Sequence, residues 1–395
     1  MLTYSRLTCS CRTWPVVAMA RGFSLIEIMI GLAISLASIL VIYQLYATSE
    51  GRRRTIAATS EAQTSGSLAL YTIKRDIQSA GLGFGNVDMG HLGCAVQAYN
   101  SGRQPAEFEF PLVPVRIEVG EAGASDKLWV LSGSSDSMAV GARYTHSSAG
   151  VFTMAQTNVG FQAGDLIVGI GDDASTAAAG VANCLLMEVT SGFGTDGAAL
   201  RAVARRQGVG YQNFYTGKTT RATRNGGSAS ALLDSSSSNL GEGTIYSLGP
   251  MPYLHVWSTD AQRGLTRYNY LDETGDGKVH VAHDIIQFKA EYGYDGDGDG
   301  LIDVSSSGEW SATLTGTVRW ERVLAVRIAV LMRTSQYEKE EVTSRNPSWA
   351  NGSKEFVMDA AGSDWKHYRY RVYESIVPLL SLIHISEPTR RYAIS

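Results

Sequence analysis

Arg21-Gly22-Phe23-Ser24-Leu25-Ile26-Glu27, with the apolar run that follows it to Tyr46, decides how the rest of the chain is read. From Leu25 to Tyr46 almost every residue is apolar, and no charge falls between Glu27 and Glu50. At about 1.5 Å of rise per residue, a helix of this length crosses a bilayer. Arg6, Arg12 and Arg21 precede it. A secretory signal peptide would place its small-residue cleavage site after the apolar run. Here the small residue, Gly22, stands before the run, so cleavage at that point keeps the helix. Glu27 then needs an explanation, because a carboxylate within a span costs roughly 2.5 kcal/mol or more and tends to have a partner. Cleavage after Gly22 would place an α-amine close by, on Phe23. The alternative is a Glu near the helix end that reaches back to the headgroups. Arg52, Arg53 and Arg54 follow the span, so positive charge flanks it on both sides and leaves its orientation undecided.

The chain of 395 residues is long enough for one large domain or two modest ones. Its 34 basic and 38 acidic residues nearly cancel, so no polyanion-binding footprint is expected and no nucleic-acid partner is predicted. Gly is abundant at 42 residues against 9 Pro, a composition that suits many turns between short strands. After the span, Ile56, Leu70, Ile73, Ile77 and Ala80 recur at helical spacing, with Lys74, Arg75 and Asp76 mostly on other faces. Gly81-Leu82-Gly83 stops that pattern. One helix from Ser24 to Ser79 would be roughly 80 Å long, with Gly31 and Gly51 as local weak points.

Beyond Gly81 the pattern becomes one of short β-like runs between turn-rich stretches. Strands are predicted over Lys127–Leu131, Leu166–Ile170, Cys184–Thr190, Leu200–Ala204, Thr244–Leu248, Tyr253–Ser258 and Thr266–Leu271. Asp284–Tyr294 alternates, placing Ile286, Phe288, Ala290, Tyr292 and Tyr294 on one face. Val323–Met332 is apolar apart from Arg327 and suits a central strand. Tyr368–Val377 is the last. Gly/Ser-rich segments near 132–150, 171–182 and 224–243 read as exposed loops or insertions. The expected architecture is α+β: a long N-terminal helix, membrane-spanning then amphipathic, packed on an antiparallel-rich sheet domain.

Gly22–Glu27 resembles the type IV prepilin signal. Within that pilin-like class the chain resembles the PilW minor pilins, on four stretches: Gly22–Glu27; Asp76-Ile77-Gln78-Ser79-Ala80-Gly81 leading to Gly93-Cys94; the Asp284–Asp299 strand and loop; and Val326–Arg333. The resemblance implies cleavage after Gly22 and N-methylation of Phe23 by the prepilin peptidase, and pairing of Glu27 with the N-terminal amine of a neighbouring subunit. It implies leader 1–22, pilin helix 23–80 with its span at about 25–46, and an external domain 81–379. The implied role is a minor pilin that primes a type IV pilus and sits near the tip. Its expected partners are other minor pilins, the major pilin, the inner membrane and a tip adhesin. Before assembly the domain would face the periplasm of a Gram-negative cell, and afterwards the outside. A type II secretion pseudopilin and a membrane-anchored adhesin are the alternatives. No nucleophile elbow, Walker loop or His-Glu-x-x-His motif is present in the sequence, which agrees with a non-enzymatic role and no required cofactor. His280 and His283 lack a third ligand in register and read as strand-end residues.

In an oxidising compartment Cys94 and Cys184, alone in the body of the chain, are expected to pair. Two separate buried thiols are the alternative. Cys9 and Cys11 lie in a leader that is long for the class; initiation at Met19 would remove both. Asp295, Asp297, Asp299 and Asp303, with the Leu301 carbonyl, fall at positions 1, 3, 5, 9 and 7 of an EF-hand-like loop, and Gly300 stands at the turn position 6. Carboxylates two apart converge on a hard cation when such a loop winds round it, so Ca2+ is an expected ligand of extracellular-type affinity. Ser306 replaces the bidentate Glu of position 12, and a solvated Asp-Gly turn is the alternative. Asp272, Thr274 and Asp276 read as a turn. Residues 380–395 resemble translated read-through of a sequencing-library adapter and are expected to be non-native, with an amphipathic end strand as the alternative.

Overall fold

The computed structural model describes residues 24–85, 91–121, 123–135, 141–148, 150–156, 160–172, 184–191, 201–203, 207–227, 241–272, 277–303, 308–358 and 362–379. Gly22, Phe23, Cys9, Cys11, Thr274, Asp276, Ser306 and the 380–395 tail lie outside them. The chain divides into two compact units, Met1–Ala57 and Ala58–Ser395. One helix, Leu25–Gln78, belongs to both and runs unbroken through Gly31 and Gly51.

In the first unit every described residue from Ser24 to Ser49 is exposed. Two serine hydroxyls there bond locally. Ser35 Oγ donates to the Gly31 carbonyl at 2.7 Å, and Ser38 Oγ to that of Ile34 at 2.8 Å. Bonding back to the preceding turn lets a polar side chain sit in an apolar helix without demanding water.

The second unit is built from β-structure on the remaining helix, with three main sheets and two small hairpins among the described residues. An eight-stranded sheet runs in the order Glu107–Pro111, Ala95–Tyr99, Cys184–Glu188, Leu166–Gly171, Gly243–Gly249, Ala142–Ser148, Val151–Met154, Arg201–Val203. Its one parallel pair joins Ala95–Tyr99 to Cys184–Glu188. A five-stranded antiparallel sheet follows the order Val279–Ala282, Leu265–Asn269, Tyr253–Thr259, Lys127–Ser132, Val115–Glu118. A four-stranded antiparallel sheet is ordered Trp310–Ser311, Ile285–Tyr294, Val323–Arg333, Tyr370–Pro378. The fold is therefore α+β with an N-terminal helix and antiparallel-rich sheets.

The main core joins the helix to the last two sheets. Ala69, Ile73, Ile77 and Ala80 pack with Leu128, Val130, Trp257, Phe288, Val326, Ile328 and Val330. The buried helix face is narrower in side chain than the sequence pattern suggests. It comprises Ala58, Ala62, Gly66, Ala69, Ile73 and Ile77, whereas Ile56 is exposed. Gly66 shows why: a Cβ there would press into the Tyr373 ring and lie 2.5 Å from Met332 Sδ. Small residues let the helix approach the strands closely.

Three expectations are corrected. Asp76 lies on the buried face, because it accepts hydrogen bonds there from strand Tyr253–Thr259. Ile286 leaves the face of Phe288, Ala290 and Tyr292: a bulge between Ile285 and Gln287 shifts the register, and Ile286 packs with Trp349 and Phe356 instead. The segment near 132–150 contains strand Ala142–Ser148, and Tyr144 is fully buried, so that part of it belongs to a sheet and is not a loop. Its low apolar content hid it, because the strand is anchored by one aromatic.

Candidate functional site

Four groups of residues singled out by the sequence can be located. At the helix start, Ser24 occupies the position before the first helical residue, and its N–H faces Glu27 Oε2 at 3.4 Å. A Glu three residues inside a helix reaches back in this way in a capping box. Glu27 is exposed and has no ion-pair partner among the described residues. Its carboxylate is thus open to a cation supplied from outside.

At the other end of the same helix, Asp76 is buried and Oδ2 accepts from Trp257 Nε1 at 2.9 Å. His255 Nδ1 lies 2.8 Å from the same oxygen, and Arg267 Nη1 lies at 3.8 Å. Tyr253 stacks on His255 with ring centroids 3.9 Å apart, and its hydroxyl meets Ser79 Oγ at 2.6 Å. Alternate residues of one strand therefore hold the last turn of the helix through polar contacts. Asp76–Gly81 stands out in the sequence as a motif without a partner, since the strand that meets it lies far away in the chain.

Cys94 and Cys184 are bonded, with S–S 2.02 Å and Cα–Cα 6.2 Å. The bridge sits beside the parallel pair, where Val96 faces Cys184. Closing a loop of 90 residues contributes about 4–5 kcal/mol in the chain-entropy account.

The acidic loop is wound as an Asx-rich turn. Asp295 is buried and caps two N–H groups, Gly298 to Oδ1 at 2.5 Å and Gly300 to Oδ2 at 3.0 Å. Gly298 and Gly300 take φ of 86° and 85°, the left-handed geometry that the tight winding requires. Asp297 accepts from Asp299 N–H, and Asp299 from Leu301 N–H. One oxygen each from Asp295, Asp297 and Glu309 lie within 4.8 Å of one another, a spacing that could hold a metal ion. Asp299 and Asp303 are not in that cluster, and the Asp303 N–H donates to Glu309. Glu309 was not anticipated, because it falls outside the 12-residue template and enters from the start of strand Trp310–Ser311. Arg322 Nη1 donates to the Gly296 carbonyl at 3.0 Å, placing a fixed positive charge beside the loop.

His280 and His283 stack at 6.3 Å, and His280 Nδ1 faces Asp260 at 3.3 Å; no third ligand joins them among the described residues.

Behind the acidic loop, strand Val323–Arg333 is buried over all eleven residues. Arg327, its one mid-strand charge, pairs with buried Glu291 at 3.3 Å, approaches Glu374 at 3.6 Å and lies 4.0 Å over the Trp310 ring. Lys354 contacts the other Glu291 oxygen. Burial pushes both cations below their ordinary pKa, and Glu374 partly restores that of Arg327. Nearby, burial raises the Tyr292 hydroxyl to about 12 while it accepts the Ile117 N–H at 2.5 Å.

Residues 256–381 match the family model of PilW, the type IV pilus-assembly protein W. This match supports assignment to the PilW family. The match covers about a third of the chain, including the whole four-stranded sheet and the acidic loop. The disulfide and the eight-stranded sheet lie outside the part matched to PilW. No curated protein and no solved structure matches the chain. The match supports a role in type IV pilus assembly, and the one long apolar helix among the described residues fits a membrane-anchored protein.

Proposed function

We propose that this chain is a minor pilin, structural and not catalytic, that primes a type IV pilus and is incorporated near its tip. One observation carries the reading. A sheet domain that matches PilW is continued by a single helix into a wholly exposed apolar segment, directly behind Gly22-Phe23. In this reading the prepilin peptidase cuts after Gly22 and methylates Phe23. The exposed Glu27 carboxylate then pairs with the α-amine of an adjoining subunit, offsetting the cost of a charge in an apolar surround. The inner membrane holds the chain before assembly, with the domain in the periplasm, and other minor pilins and the major pilin are its partners. N-terminal sequencing of the mature protein tests this: N-methyl-Phe23 is expected, and an uncut leader would sink it. A deletion strain separates the role. Loss of all pili is expected; intact pili with failed attachment would point to an adhesin, and intact pili with failed secretion to a pseudopilin.

Weak calcium binding at the acidic loop belongs to the same proposal, with Asp295, Asp297 and Glu309 as the leading ligands, and Asp299, Asp303 and the Leu301 carbonyl requiring a local shift to join. Calorimetry on the calcium-depleted chain is expected to show heat at millimolar ion, and its absence removes the site.

A further inference from the structure

Strands Gly210–Gln212 and Thr219–Arg221 form a hairpin apart from the main sheets, pairing Gly210 with Arg221, Tyr211 with Thr220 and Gln212 with Thr219. An isolated two-stranded hairpin is marginal in water, yet this one is pinned at base and tip. At the base, buried Glu188 accepts from the Tyr211 hydroxyl at 2.5 Å and from the N–H groups of Thr223 and Arg224 at 2.8 and 3.1 Å. Asn225, also buried, bonds the Glu188 backbone in both directions. At the tip, Asn213 Oδ1 accepts from Tyr215 and Thr216 N–H, and the Tyr215 hydroxyl donates to buried Asp165 at 2.5 Å. The Phe214 N–H donates to the Ala163 carbonyl at 2.9 Å.

This scaffolding presents aromatic surface to solvent. Phe214 is 62% exposed and Tyr215 48%, with their rings perpendicular at 5.4 Å. The local sequence is one-sided in charge, the carboxylates that touch the hairpin being the buried Glu188 and Asp165. Residues 201–233 hold Arg201, Arg205, Arg206, Lys218, Arg221 and Arg224 and no carboxylate, in a chain of net charge −4. Arg224 is spent on Asp272. Lys218 and Arg221 are exposed and have no ion-pair partner among the described residues.

We propose that the hairpin Gly210–Arg221 binds an acidic saccharide, with the Phe214 ring as its stacking surface and Lys218 and Arg221 as its anion contacts. The C–H face of a pyranose lies flat on an aromatic ring, while its carboxylate or sulfate takes charge-assisted hydrogen bonds from the two cations. Gln212, Thr216 and Thr219 are exposed beside them and match sugar hydroxyls in donors and acceptors. A long nucleic acid fits less well. It would extend past the hairpin over a negatively charged protein, which repels it. The proposal stands independently of the pilus role.

The test is calorimetric titration of the full chain in neutral detergent with a heparin hexasaccharide, a hexagalacturonate, neutral maltohexaose and a single-stranded DNA hexamer. At least one acidic saccharide is expected to bind, and maltohexaose to bind far more weakly. Phe214→Ala is expected to lower that affinity about tenfold, and the Lys218→Ala/Arg221→Ala pair by at least as much, with Phe214→Tyr staying near wild type. Phe214→Ala should leave the thermal unfolding curve in place, since its ring is exposed. Three results would overturn the proposal: neither acidic saccharide binds, Phe214→Ala binds as wild type does, or DNA binds as tightly as the better saccharide.

Discussion

The two halves of the helix Leu25–Gln78 share a backbone and differ in what covers them. Between Leu25 and Tyr46 most side chains are large and apolar, and all the residues are exposed. From Ala58 onward the buried positions are Ala58, Ala62, Gly66, Ala69, Ile73, Asp76 and Ile77, mostly small. Hydrophobicity is therefore the wrong axis on which to compare them. Bulk distinguishes a helix that needs an apolar solvent from one that needs strands at close range. A helix in lipid gains from area, whereas a helix on a sheet gains from proximity, and a single methyl can be too much.

That contrast can be broken by substitution. The largest effect is expected for Asp76→Ala, which leaves Trp257 Nε1 buried without an acceptor and removes the partner of His255. A loss of about 3 kcal/mol should appear in denaturant unfolding followed by tryptophan fluorescence. Gly66→Leu comes next. Its side chain would press into Met332 and Tyr373, and about 2 kcal/mol of destabilisation is expected in the same assay. Ser79→Ala removes the contact with the Tyr253 hydroxyl and the bonds back to the Asp76 and Arg75 carbonyls, and should cost about 1 kcal/mol. Leu36→Ala, in the exposed half, should leave domain unfolding within about 0.5 kcal/mol of wild type. If Leu36→Ala lowered domain stability as much as Gly66→Leu, the two halves would not be energetically distinct.

Legibility in the sequence followed the same division. The exposed segment could be read from composition alone, because nothing but an apolar medium tolerates such a run. Val323–Arg333 was visible for a similar reason: a strand buried on both faces is apolar throughout, and its one mid-strand arginine is explained by Glu291 opposite. Asp76 was misplaced, since a carboxylate in a helical pattern reads as solvated until a strand 181 residues away brings an indole N–H to it. Ile286 was put on the wrong face because alternation assumes an unbroken register, and one bulge reverses it. In the acidic loop, spacing identified Asp295 and Asp297, while Glu309 arrives from beyond the loop and no fixed spacing announces it. The hairpin that carries Phe214 was missed altogether. Its strands are three residues each, too short for any periodicity to register.

The four-stranded sheet also imposes an order in time. Its most buried strand, Val323–Arg333, lies between Ile285–Tyr294 and Tyr370–Pro378, and the second of these is the last described strand of the chain. Because the chain is made from its N-terminus, the central strand is completed with one edge paired and the other open, an adhesive template for any neighbouring chain. It remains so until the final strand has been made. A truncation ahead of Tyr370 would freeze the chain at that stage, so its expected phenotype is aggregation rather than a shortened but soluble domain.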